Sequence, residues 1–281
     1  MESPLFVPPG HFYSPVVNTH EASAYLDRLE AAPWPKEMKG LTLDHEKIKA
    51  NWIELSQFFA SFPFTPTSRD DGKYLYQSNN NAFPYSDALL LYSYLRKFQP
   101  KRIIEVGSGW SSACAVETIK LHFKHECEMT FIEPYPALLK DLIGDYSEKV
   151  KIREEFVQAT PLETFDALQE NDILFIDSTH VVKTGSDCCT EFFDILPRLK
   201  KGVVIHVHDI FWPFEYPRHW VVGENRSWNE IYLLRALLTN NPQYEFLGFT
   251  DYMTKVLPDL VSETAPDFLG RSGGSLWLRK I

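Results

Sequence analysis

Only four cysteines occur in 281 residues, Cys114, Cys127, Cys188 and Cys189, and no two of them form a Cys-x-x-Cys pair. A thiolate zinc site of the usual spacing is therefore excluded. Cys188 and Cys189 are neighbours, with Cα atoms about 3.8 Å apart, too close for ordinary disulfide geometry. They read as small apolar residues of a helix. Long apolar runs are also missing. None approaches the roughly 18 residues a membrane span needs, so no membrane partner is expected. The opening stretch, "MESPLFVPPGHFYSP", has neither a cationic start nor a long apolar segment, so no signal peptide is expected and a cytoplasmic location is. Dense cationic runs are absent too. The nearest, "RLKKG" at 198–202, reads as a helix end. With a net charge of −10, the surface repels phosphate backbones and nucleic acid is excluded as a partner.

What is present is a large apolar reserve. Hydrophobic residues make up 44% of the chain and aromatics 14%, ample for one large core. Residues 1–40 carry Pro4, Pro8, Pro9, Pro15, Pro33 and Pro35. They predict irregular chain with one short helix near Glu21–Leu29. Over 43–60, Ile48, Trp52, Leu55 and Phe59 share one helical face. "ALLLYSYL" predicts a largely buried helix over Ser86–Phe98. A βαβα pattern follows. Its strands are Arg102–Val106, Met129–Glu133, Val150–Arg153, Ile173–Asp177 and Val203–His208. Its helices are Ser112–Phe123, Pro136–Tyr146, Leu162–Gln169 and Ser186–Leu199. Short apolar strands alternating with helices predict a parallel sheet covered on both faces. Ser227 and Glu230 have capping-box spacing ahead of a helix. "YEFLGF" and "SLWLRK" predict an antiparallel edge, with residues 251–274 as an insertion between them.

Glycine is sparse, yet two glycines fall inside "RIIEVGSGWSSACAVE" at 102–117. A glycine turn between strand and helix lets backbone N–H groups approach a ligand. No Gly-Lys-Ser/Thr end is present, which excludes a P-loop. A dinucleotide fingerprint needs a third small residue where Ser112 stands, and Glu105 would repel a pyrophosphate. S-adenosylmethionine fits better. It carries a sulfonium and an ammonium, which welcome a carboxylate, and a ribose diol that a second acid can grip. Glu133, at the end of the next strand, is placed for that grip. Glu105, Gly107, Gly109 and Glu133 thus form one constellation, and Trp110 is placed to shield the ligand.

"EVGSG", "FIDSTH", "IHVHDI" and "GGSLWLRK" occur in this order. With them the chain resembles the Rossmann-like class I S-adenosylmethionine-dependent methyltransferases, and within these a bacterial group. The resemblance spans about Asn81 to Ile281. It implies an α/β fold, a three-layer α/β/α sandwich whose mostly parallel seven-stranded sheet has an antiparallel last strand. Residues 1–80 would be a helical extension and 81–281 the methyltransferase core. The resemblance also implies S-adenosylmethionine as cofactor. Glu105, Gly107 and Gly109 would lie at its methionine end, Glu133 at the ribose, and Gln158-Ala159 near the adenine, with Ser108, Trp110, Ser111 and Asp177 as further cofactor contacts. Asn81, Tyr85 and Asp87 would lie in a segment folded over it.

Asp177 and His180 follow the fourth strand; His206, His208 and Asp209 end the fifth. In an open α/β sheet these positions face the ligand cleft. His180 or His208, with Asp177, are candidates for deprotonating a methyl acceptor. Alternatively Asp177, His208 and Asp209 bind a divalent metal (Mg, Mn, Fe or Zn) that acidifies a hydroxyl acceptor. The layout resembles metal-dependent catechol-type O-methyltransferases, although His208-Asp209 replaces their acid-amide pair. His206 reads as a core histidine. Trp212, Phe214, Tyr216, Trp220 and Trp228 are candidates for a substrate wall. The expected reaction is methyl transfer to an oxygen or nitrogen of a small molecule, with a homodimer as the candidate assembly. A metal-dependent oxygenase and a non-catalytic nucleoside-binding module are the alternatives on the same scaffold.

Overall fold

A computed structural model describes residues 5–271 and 273–281; Pro4 lies outside them. Two helices come first, α1 (Thr19–Glu30) and α2 (His45–Ser56), then α3 (Tyr85–Phe98). The alternating part follows as β1 (Arg102–Val106), α4 (Trp110–His122), β2 (Glu128–Ile132), α5 (Ala137–Ile143), β3 (Lys151–Arg153), α6 (Glu163–Asp166), β4 (Ile173–Ile176), α7 (Asp187–Thr190) and β5 (Val204–Val207). The chain closes with α8 (Glu230–Leu238), β6 (Tyr244–Phe249), α9 (Thr250–Val256), α10 (Pro258–Thr264), α11 (Pro266–Leu269) and β7 (Leu276–Lys280). The seven strands form one sheet in the order β3-β2-β1-β4-β5-β7-β6. The first five are parallel, and β7 runs antiparallel between β5 and β6. This is the expected three-layer α/β/α sandwich. The strand order reverses between β1 and β4, so their carboxyl ends open a crevice there.

Three expected helices are shorter than their apolar pattern. α5 stops at Gly144, whose φ is +54°, and the chain continues as a 3-10 turn over Gly144–Lys149. α6 is a single turn. The helix expected over Ser186–Leu199 is α-helical only through Thr190, then a wide π turn over Glu191–Ile195 and a 3-10 turn over Leu196–Arg198. Pro197 has no N–H with which to continue an α ladder. The capping box does not form. Asn229 is the N-cap of α8 without a side-chain bond, and the Ser227 hydroxyl instead accepts from the N–H of Val17 at 3.0 Å.

Packing does not break at residue 80. One apolar cluster runs from Leu43 through the sheet to Leu278. Trp52 of α2 stacks edge-on against Phe59 and Phe268 at 5.1 and 5.0 Å, and its Nε1–H donates to the Thr264 hydroxyl at 2.8 Å. The segment expected as an insertion becomes α9 to α11 and supplies part of the surface on which α2 docks, beside β6 and α3.

Candidate functional site

The turn after β1 is built from underneath. Gly107 has φ +76°, and a Cβ there would overlap the carbonyl oxygen of Asp177. Only glycine allows the ends of β1 and β4 to lie so close. The next residue, Ser108, gives its N–H to Glu133 Oε2 at 3.2 Å, and Tyr135 gives its N–H to Glu133 Oε1 at 2.8 Å. Glu133 thus ties the turns after β1 and β2 together. The N–H of Gly109 donates to the Ser112 hydroxyl at 3.0 Å, which starts α4. Above the turn lies an open cleft of about 190 Å³, lined among others by Gly107, Ser108, Trp110, Glu133, Leu138 and Asp177. Gly109 and Ser111 also reach it.

Glu105 is placed differently from its sequence reading. It is 2% exposed and lies beneath the turn, not in the cleft. Ser111 Oγ donates to its Oε1 at 2.5 Å and Ser112 Oγ to its Oε2 at 2.9 Å. Burial pushes its carboxyl up to about 8, against the pull of the two hydroxyls. The carboxylates that line the cleft are Glu133 and Asp177. Gln158 and Ala159 are exposed outside the cleft lining, with Gln158 Nε2 donating to the Gly185 carbonyl at 3.0 Å. Two aromatics that the sequence reading passed over stand nearby. Tyr135 and Phe156 are 76% and 56% exposed, with ring centres 6.1 Å apart. Their signal was a bare aromatic just beyond each of the second and third strands.

A second cavity of about 400 Å³ adjoins the first across residues 80–84. The Asn80 side chain shapes that partition by accepting from the N–H of Ala82 and Phe83 at 3.1 and 2.7 Å. Ala82 borders both spaces, and Asn81 lines the larger one instead of the cofactor cleft. Tyr85 packs edge-on against Phe62 at 5.5 Å. Asp87 is buried on the wall of the larger cavity and accepts from Ser275 Oγ at 2.6 Å. Of the expected aromatic wall, Trp212, Tyr216 and Trp220 line this cavity. Phe214 does not; it is fully buried against Trp212 and Phe249. Trp228 packs instead on the ring of His180 at 4.5 Å. Leu26 and Leu29 of α1 roof the cavity, and Arg218 clamps α1 down through Asp27 and Glu30 at 2.7 and 2.9 Å. Replacing Arg218 with alanine should raise amide hydrogen exchange over residues 19–30 roughly tenfold, while the sheet keeps its protection.

Between the two spaces lies the acid and histidine cluster. Asp177 borders the cleft, and His208 and Asp209 border the larger cavity. His180 sits behind them, with Nε2 at 3.5 Å from Asp177 Oδ1 and 3.4 Å from Asp209 Oδ2. Asp177, His180 and Asp209 bring their ligating atoms within 4.8 Å of one another. The metal set expected from sequence named His208 in place of His180. The geometry groups His180 with the two acids instead: His180 adopts φ +60°, while the carboxylate that His208 approaches among the described residues is Asp209, at 3.5 Å.

Electrostatics divides the three histidines. Burial opposes charge on His180, but Asp177, Glu230 and Asp209 hold its pKa well above the usual value. Burial likewise opposes charge on His208, and Asp177, Asp209 and Asp87 outweigh it. Burial would raise the Asp177 carboxyl, yet His208 and His180 pull it below its ordinary range. His206, fully buried and stacked on Phe175 at 3.9 Å, is held well below its usual pKa by burial and by His208. It is the neutral core histidine its position implied.

Residues 104–210 match the family described as a methyltransferase domain. The chain is 30% identical to an uncharacterized protein of Archaeoglobus fulgidus over 168 residues, 59% of this chain and 75% of that protein. Among solved structures it is similar to the SAH-bound Podospora anserina methyltransferase PaMTH1, with 15% identity over 99% of this chain and 100% of that one and a TM-score of 0.45. It is also similar to the Bacillus cereus O-methyltransferase in complex with SAH, with 13% identity over 92% of this chain and 97% of that one and a TM-score of 0.46. Among the described residues, no helix is long and apolar enough to cross a membrane.

Proposed function

We propose, on the methyltransferase-domain match over residues 104–210, that the chain is a class I S-adenosylmethionine-dependent methyltransferase and that it methylates an oxygen or nitrogen of a small molecule held in the larger cavity. The observation that carries this reading is the pairing of two spaces across residues 80–84. One is a glycine-walled cleft faced by the carboxylates of Glu133 and Asp177; the other is an aromatic-walled cavity faced by His208 and Asp209. The cleft suits a ligand bearing positive charge and a diol. Glu133, already joined to both turns, accepts from the ribose. Asp177 faces the methionine end, and the exposed rings of Tyr135 and Phe156 offer stacking surfaces for the adenine.

Methyl transfer is an in-line displacement. The acceptor lone pair takes the methyl group, the sulfonium leaves as a neutral thioether, and the acceptor gives up a proton. The protein's part is alignment and proton removal. Of the candidate bases, His208 lines the acceptor cavity, and its buried Nδ1 has no partner among the described residues. His180 stands outside that lining, enclosed by Asp177, Asp209 and Glu230. The set of Asp177, His180 and Asp209 also fits a divalent ion such as Mg, Mn, Fe or Zn, which supports a metal-assisted form of the same reaction. When bound, such an ion would lower the pKa of an acceptor hydroxyl.

Isothermal titration tests the cofactor. S-adenosylmethionine should bind and NAD should not; no binding of the former would sink the proposal. Glu133→Ala should weaken S-adenosylmethionine by about 1–3 kcal/mol, because a partly buried hydroxyl loses its acceptor.

A further inference from the structure

The stretch Ser227-Trp228-Asn229-Glu230 has capping-box spacing but caps nothing, and the proposed chemistry leaves it without a task. In the structure it wraps His180. The N–H groups of Asn229 and Glu230 both donate to the His180 carbonyl, at 3.1 and 3.2 Å. The Asn229 side chain holds the same loop two residues on, accepting from the N–H of Val182 at 2.5 Å and donating to its carbonyl at 3.2 Å. Trp228 covers the imidazole face. Glu230, fully buried at the first position of α8, meets His180 Nδ1 at 2.7 Å through Oε2. These contacts hold His180 at φ +60°, a conformation that L residues adopt seldom.

We propose that Glu230 is a positioning residue. It accepts a hydrogen bond from Nδ1–H of His180 and so turns Nε2 toward Asp177 and Asp209, with Trp228 and Asn229 fixing the loop that carries the ring. The distances set the order of effects. The Nδ1 contact at 2.7 Å is a full hydrogen bond, whereas the Nε2 contacts at 3.5 and 3.4 Å are too long to place the ring. A carboxylate behind an imidazole that faces a reactive site is the usual means of choosing which ring nitrogen points forward. Glu230 Oε1 has no partner among the described residues, so His180 is the group that compensates this buried carboxylate. The role assigned to the ring rests on the reading of Asp177 and Asp209 as the reacting edge; the ring's orientation is measurable without it.

The test uses the full chain labelled with 15N and long-range proton–nitrogen correlation of the histidine rings, with His180→Gln assigning the signals. Wild-type protein should show a hydrogen on His180 Nδ1. In Glu230→Gln the Nδ1 hydrogen should lose its carboxylate acceptor, and its proton resonance should move upfield or broaden by exchange. Titration with S-adenosylhomocysteine should give a Kd within about twofold of wild type in that variant, showing a folded cofactor cleft. A wild-type His180 without hydrogen on Nδ1 overturns the proposal. So does a Glu230→Gln protein that binds the probe normally and leaves the Nδ1 hydrogen resonance where it is in wild type. If Glu230→Gln does not fold, the wild-type measurement decides alone. Absence of S-adenosylhomocysteine binding by wild-type protein would count against the methyltransferase reading, while the ring measurement still decides Glu230.

Discussion

Gly107→Ala should lower stability by about 2–5 kcal/mol and the melting temperature by roughly 5–15 °C, whereas Gly109→Ala should leave both nearly unchanged and still lose cofactor. The two glycines sit two residues apart in one turn and answer to different demands. At Gly107 a side chain meets the backbone carbonyl of Asp177, and the φ of +76° is strained for any L residue. Neither β1 nor β4 can yield, since both are central strands of the sheet. At Gly109 a Cβ meets only Leu138 Cδ2, at 3.7 Å, an ordinary contact. The protein itself has room for it. The added methyl group meets Leu138, which lines the cleft together with Gly109, so it should narrow the space left for a ligand. A tenfold or larger rise in the S-adenosylhomocysteine Kd for Gly109→Ala, about 1.4 kcal/mol, is expected by calorimetry. Equal binding by that variant and wild type would remove the turn from the cofactor site.

The second large effect is a pH dependence that Glu105→Gln abolishes. The unfolded chain releases this proton near 4.5, while the folded protein keeps it to about 8 because the carboxyl is buried beneath the turn. Between those values the unfolded state binds fewer protons, so stability falls as pH rises, and it levels off above about 8. At about 1.4 kcal/mol for each unit, the loss is on the order of 5 kcal/mol when complete. Glutamine has the same shape and no proton to lose. Relative to wild type, Glu105→Gln should gain stability steadily from pH 4.5 to 8 in urea unfolding, and it should be the more stable protein at pH 8. Parallel pH profiles for the two proteins would show that Glu105 is ionised in the fold.

Particular residues show how far local pattern reaches. The five parallel strands follow from short apolar runs, because a strand buried on both faces has no alternation to misread. Gly107 and Glu133 follow from the chemistry of a turn between strand and helix. Glu105 was legible as important but not as buried. A carboxylate at a strand end looks the same in sequence whether it faces a ligand or two serine hydroxyls six and seven residues on. Ser227 and Glu230 had the spacing of a helix cap, and distant partners, Val17 and His180, took both side chains. Asn81 and the aromatics after β5 were assigned to the ligand region together, and only packing sorts them into the larger cavity, the core and the ring of His180.

The sequence by itself determined the layer architecture, the glycine turn and the acid that binds two turns together. Each depends on residues within one βαβ unit, where periodicity and backbone sterics act over a few positions. Tertiary structure alone decided which histidine joins Asp177 and Asp209, that Glu105 lies beneath the cleft, and that α1 roofs the second cavity. Those outcomes depend on contacts between residues far apart in the chain. There burial sets the charge state and a left-handed backbone at His180 sets the direction of a ring, and neither leaves a local pattern to read.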